Sequence, residues 1–162
     1  MEAIKNKIKL LPNTIKIISS IGVVLTLLGI ADTIYLTISH FSTKVILACP
    51  DTGFINCAKV TTSSYSEIFG IPVAILGLMF FIGMLFFQLP MTWASHNRYI
   101  RDARLGYSIT GLIAIFWFVY VELHRLNSIC LYCTGVHILV FCLFVLTVIG
   151  TSMTAVSNST DE

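Results

Sequence analysis

Four apolar runs constrain this chain more than anything else in it: Ile17–Ile38, Ile71–Leu89, Leu105–Leu123 and Ile129–Ile149. A helix needs about 20 such residues to cross a bilayer. Lipid offers the backbone no hydrogen-bond partners, so each run reads as a membrane-spanning helix. Together the runs take about half of the 162 residues, and only 11% of the chain is charged, against about 25% in soluble domains. Little remains for a soluble domain, and a formal net charge of +2 gives no basis for nucleic-acid binding. The expected fold is all-α, an integral membrane four-helix bundle.

Residues 1–16 form a basic N-terminus, with Lys5, Lys7, Lys9 and Lys16 against Glu2. The apolar run after it is too long for a usual signal peptide, and no small-x-small cleavage site follows, so it reads as a retained span. Asp32 lies inside that span. An ionisable residue there is a functional candidate by default, and the plainer reading is an aspartate satisfied near the interface. Residues 41–69 are too polar to span. Their second half, Ala58 to Phe69, is expected as a short half-helix lying at the membrane surface. Gly70-Ile71-Pro72 then breaks it, with Pro72 suited to the first turn of span two. Residues 17–150 make one membrane domain, and 151–162 a polar tail expected to be disordered.

Five cysteines stand out. Cys130 and Cys133 open the last span one helical turn apart. The first turn of a helix favours a thiolate, and Ser128 is the expected N-cap. Cys49 and Cys57 lie in the loop after span one. The chain crosses twice between Cys57 and Cys130, so all four share one membrane face. Lys5, Lys7, Lys9, Lys16, Arg98, Arg101 and Arg104 fall on the opposite face, against Lys44, Lys59 and Arg125 with the cysteines. The positive-inside rule then puts both termini in the cytoplasm and the cysteines outside the inner membrane, where disulfides persist.

A mobile and a fixed dithiol on one face can pass electrons by thiol–disulfide exchange, and a bundle core can hold a membrane quinone as the sink. Two other readings stay open at this level: a structural membrane protein with two static disulfides, or a zinc site. Cys142, mid-span, reads as a packing residue.

The combined pattern resembles the bacterial and archaeal homologues of vitamin K epoxide reductase. It comprises Tyr35-Leu36-Thr37 near the end of span one, Cys49-x7-Cys57, Ser63, Phe69-Gly70-Ile71-Pro72, and Cys130-x-x-Cys133 opening span four. The likeness covers about residues 17–150. It implies a quinone-dependent, disulfide-forming oxidase that reoxidises a thioredoxin-like, DsbA-like partner. Electrons would run from Cys57 to Cys130, with Cys133 facing the quinone (ubiquinone, menaquinone or a related naphthoquinone). Ser63 would cap the half-helix over the quinone. Many bacterial members carry a fused thioredoxin-like domain; the short tail here implies a separate partner. His137 stands where animal members have a tyrosine, and is expected near the quinone. Asp32, Glu122, His124 and His137 are candidates for supplying protons. A DsbB-type quinone oxidase is the convergent alternative, although its cysteine pairs are arranged differently along the chain.

Overall fold

A computed structural model of the protein describes residues 13–42, 48–49, 52–95 and 97–159. Lys5, Lys7, Lys9, Lys44 and Pro50 lie outside the described residues, as does Thr160 of the tail.

Four long helices form the bundle: α1 (Asn13–Phe41), α3 (Val73–Gln88), α5 (Arg98–Tyr120) and α6 (Leu131–Ser159). Two shorter helices, α2 (Cys57–Thr61) and α4 (Pro90–Trp93), sit at opposite ends of α3. A π-helical turn, Val121–Leu126, continues α5. Among the described residues, three segments are long and apolar enough to cross a membrane: Asn13–Phe41, Arg98–Leu126 and Leu131–Thr154. Helix α3 is apolar but shorter, at 16 residues, or about 24 Å of helical rise. The fold is the all-α membrane bundle that the four apolar runs require.

Helix α1 packs against α3 and α6, and α5 against α6 and α3. The core lies in three layers down the bundle. Leu36, Cys57, Val60 and Cys130 are buried at one end; Phe81, Met84, Ile115, Val140 and Leu143 in the middle; Ile15, Ile18 and Trp93 at the other end. Large apolar side chains such as Val24, Leu28, Phe86, Phe116, Ile138 and Phe141 face outward, which in water would be untenable and in lipid is ordinary. Hydroxyls inside α1 are satisfied by their own helix: Thr26 and Thr33 donate to the carbonyls of Gly22 and Gly29, each at 2.7 Å. Gly29 lets α3 approach closely, since a Cβ there would run into the buried Phe81 ring.

Element boundaries differ from the sequence reading in four places. The expected half-helix over 58–69 is a five-residue helix, α2, then a 3₁₀ turn at Ser64–Ser66 and a small hairpin. In the hairpin Glu67–Ile68 (β1) pairs antiparallel with Ile71–Pro72 (β2). Phe69 and Gly70 take positive φ at its tip, the backbone a two-residue hairpin needs. That pairing delays α3 to Val73. Helix α5 starts at Arg98, seven residues before the apolar run, because Asn97 accepts from the Tyr99 amide as its cap. Arginine is a good helix former, and hydropathy is blind to such a charged first turn. The tail from Thr151 continues α6 to Ser159 rather than being disordered. Ser152 and Thr154 bond back to the helix, Ser152 to the Val148 carbonyl at 2.9 Å and Thr154 to the Gly150 carbonyl at 3.1 Å.

Candidate functional site

The end of the bundle that holds Leu36 gathers all four cysteines expected there. Asn56 caps α2 by accepting from the Lys59 amide at 2.8 Å, which fixes Cys57 in the first turn. The loop before α2 is laced to the head of α6. The Ile129 amide donates to the Phe54 carbonyl at 2.8 Å, and the Asn56 amide to the Ile129 carbonyl at 3.1 Å. This parallel bridge between Ile55 and Ile129 sets the two cysteine pairs side by side. Cys49 and Cys57 are joined by a disulfide, with Cα atoms 6.1 Å apart, while Cys130 and Cys133 are free thiols. Cys57 and Cys130 are buried in one cluster, and Cys49, Tyr35, Tyr132 and Cys133 pack around it. Tyr35 and Tyr132 lie with ring centroids 5.0 Å apart.

Ser128 does not cap α6. Its amide donates to the Glu122 carbonyl at 3.1 Å, closing the π-helical turn. Its hydroxyl is buried without a partner among the described residues. The cap is Cys130 itself. Its carbonyl accepts from the Thr134 amide at 2.9 Å, and its sulfur accepts from the Cys133 amide at 3.2 Å. A sulfur in the N-cap place takes the role an oxygen usually plays. The Cys133 thiol, and then its amide, stabilise a negative charge on that sulfur. They hold the Cys130 thiol below the ordinary thiol range despite its burial.

Beneath the cysteines, the four long helices and the segment from Val60 to Ile68 line a partly open cavity of about 360 Å³. Cys133 is in its wall; Cys49, Cys57 and Cys130 are not. Phe80, Phe81 and Phe118 supply aromatic surface, and Thr33, Ser63, Glu122 and His137 supply scattered polar groups. The size falls within the range of about 300–1,000 Å³ usual for small-molecule pockets. A quinone head is a flat apolar ring with two acceptor oxygens, and apolar walls with the His137 imidazole and the Cys133 thiol as donors fit one.

The candidates from sequence fall in different places. Ser63 lines the cavity, and its hydroxyl donates to the Val60 carbonyl at 2.8 Å, closing the end of α2. His137 lines it one turn beyond Cys133. Asp32 is not in the wall; its carboxylate sits beside Gly135 of α6. Cys142 lies nine residues past Cys133, about 13 Å along α6 by helical rise. Among the described residues, no three His, Cys, Asp or Glu side chains gather as a metal-binding set. Glu122, singled out on sequence only as one of several proton donors, is 6% exposed and in the cavity wall. An acidic residue eight places before the first cysteine of a CxxC is a visible signal, but the π-helical turn that carries it inward is not.

Residues 20–148 match the profile of the vitamin K epoxide reductase family. The chain belongs to that family. The match spans the whole bundle from α1 into α6, including both cysteine pairs. Family membership makes the protein a membrane oxidoreductase of thiols and disulfides, in a family whose chemistry involves a quinone.

Proposed function

We propose that the protein draws electrons from a reduced thioredoxin-like partner and delivers them to a membrane quinone, through Cys49 and Cys57 and then Cys130 and Cys133. The observation that carries this reading is the packing of two cysteine pairs in one small cluster above a cavity. The disulfide-joined loop pair packs against the helix pair, and of the four cysteines only Cys133 lines the cavity.

The steps follow from thiol–disulfide exchange. A partner thiolate attacks Cys49, the S–S bond breaks, and Cys57 leaves as a thiolate. Cys57 then attacks Cys130 of an oxidised Cys130–Cys133 pair, and Cys133 leaves as a thiolate. The second partner thiol releases Cys49, and Cys49 releases Cys130, which leaves the helix pair reduced. When bound, a quinone supplies a two-electron, two-proton acceptor. Cys133, in the cavity wall, is the point at which electrons leave the chain. Cys130, with its lowered thiol pKa, is ready to re-form the disulfide. His137 is the polar group we assign to orient the acceptor, and Ser63, whose hydroxyl is given to the Val60 carbonyl, holds the end of α2 in the cavity wall. For a two-electron couple about 30 mV is worth about 1.4 kcal/mol, so a higher-potential acceptor draws the relay forward.

Lys16, Arg98, Arg101 and Arg104 belong to the ends of α1 and α5 remote from the cysteines. This charge asymmetry supports a cytoplasmic placement for that end and an extracytoplasmic one for the cysteines.

The test is quinone reduction by the purified protein, given a reduced thioredoxin-like donor, beside a Cys133→Ala variant. Reduction by the wild type and none by the variant is expected. A wild type that reduces no quinone while its loop disulfide stays intact would sink the relay.

A further inference from the structure

Oxidising the Cys130–Cys133 dithiol releases two protons, in a place where bulk water is scarce. The ionisable residues near it differ sharply in position. His124 is exposed on the π-helical turn and stacks on Tyr120, with ring centroids 4.8 Å apart. Asp32 is outside the cavity wall. His137 is in the wall, one turn further from the cysteine head than Cys133. Glu122 is in the same wall, is buried, and also meets the head of α6: the Cys130 amide donates toward its carboxylate. It shares the cavity wall with Cys133. It is the one side chain among these four that touches both the dithiol's backbone and the cavity.

Its placement depends on the π-helical turn Val121–Leu126, which ends at Asn127 in the left-handed region (φ 45°). Such turns are rare and recur at functional sites. The plainer alternative is that the turn merely ends α5 and that Glu122 fills a polar corner.

We propose that Glu122 is the proton acceptor of the Cys130–Cys133 pair. This rests on the relay proposed above. As the disulfide forms, the Cys130 S–H bond breaks and an O–H bond forms on Glu122. Two electrons leave through Cys133 to the quinone. Glu122 then releases its proton into the cavity, and the Cys133 proton passes into the cavity directly. The groups facing this exchange are Cys130, Cys133 and His137 from the α6 side, and His40 in the cavity wall with Asp32 behind it on α1. Lys59, exposed, is on the packed α2, and His124 and Arg125, both exposed, are on the turn itself.

The test uses the full chain and Glu122→Gln, which keeps an acceptor for the Cys130 amide but cannot take a proton. One arm needs no quinone: the pH dependence of alkylation at Cys130, read by mass spectrometry. Removing a carboxylate charge beside the sulfur favours the thiolate, so the Gln profile should move to lower pH. The other arm is turnover with a soluble short-chain quinone and a reduced dithiol donor. It should fall at least about tenfold, or about 1.4 kcal/mol in the barrier, while reduction of the Cys49–Cys57 disulfide by the donor keeps its rate. An unmoved alkylation profile, or wild-type turnover in the Gln variant, overturns the proposal. If the wild type reduces no quinone, the relay fails, and the alkylation arm still decides whether Glu122 is coupled to Cys130. If the Gln variant does not accumulate, Glu122→Asp decides. Slowed turnover that recovers as pH rises supports the proposal, and unslowed turnover at every pH overturns it.

Discussion

The Cys133 amide donates to the Cys130 sulfur at 3.2 Å, so each cysteine of the pair is part of the other's environment. The Cys133 thiol is the largest contributor to the lowered pKa of Cys130, with the Cys133 amide adding to it. The sign is clear: a thiol held below the ordinary range is thiolate at lower pH, and the thiolate is the reactive form. Wild-type Cys130 should therefore reach half-maximal alkylation below the pH of an unperturbed cysteine. Cys133→Ala keeps the amide and loses the thiol donor, so its half-point should rise toward the ordinary value. A profile identical to wild type would show that the thiol contributes nothing.

Two serines near the site make opposite contributions. The Ser63 hydroxyl donates to the Val60 carbonyl at 2.8 Å, and Ser63→Ala should cost about 1 kcal/mol. The Ser128 hydroxyl is buried with no partner among the described residues, so Ser128→Ala removes a desolvated group and should be neutral or stabilising by up to about 1 kcal/mol. Thermal unfolding of both variants in one detergent compares them directly. A loss on Ser128→Ala larger than that on Ser63→Ala would mean the Ser128 hydroxyl has a partner after all.

The four apolar helices and the shared end of the four cysteines were legible because both depend on run length and on how many helices separate the cysteines, which sequence states outright. Ser128 misled because cap preference is read from residue type, while the π-helical turn consumes its backbone and moves the cap to Cys130. The same turn hid Glu122. Hydropathy placed α5 by its apolar residues and missed the helical turn opened by Asn97. The hairpin at Glu67–Pro72 was unreadable because Phe69 takes a positive φ that aromatic residues seldom adopt.

Ala74 on α3 lines the cavity and packs against the cysteine cluster. Ala74→Leu puts three more carbons into the space assigned to the quinone. The expected result is a KM for short-chain quinone raised about tenfold, equivalent to about 1.4 kcal/mol of binding, with donor reduction of the Cys49–Cys57 disulfide unchanged. Steady-state titration with the quinone measures the first and thiol trapping the second. If donor reduction of the disulfide slows as well, Ala74 shapes the cysteine end rather than the cavity.

At the far end of the bundle, the Arg104 guanidinium lies 3.4 Å from the centre of the Trp93 ring. Arg104 is 2% exposed. One of its terminal nitrogens reaches Thr151 at 3.4 Å, and Nε and the other terminal nitrogen have no partner among the described residues. The ring face is thus the main compensation for a buried charge, and a desolvated cation–π contact is worth about 2 kcal/mol. Trp93→Leu should lower stability by about that much or more. Arg104→Met removes the charge together with its desolvation cost and should be close to neutral. The double variant should then lose less than the two single losses added, because the leucine no longer leaves a charge uncovered. Thermal unfolding of the four proteins closes this cycle. Strict additivity would show that Trp93 acts only by filling space against Ile15 and Ile18.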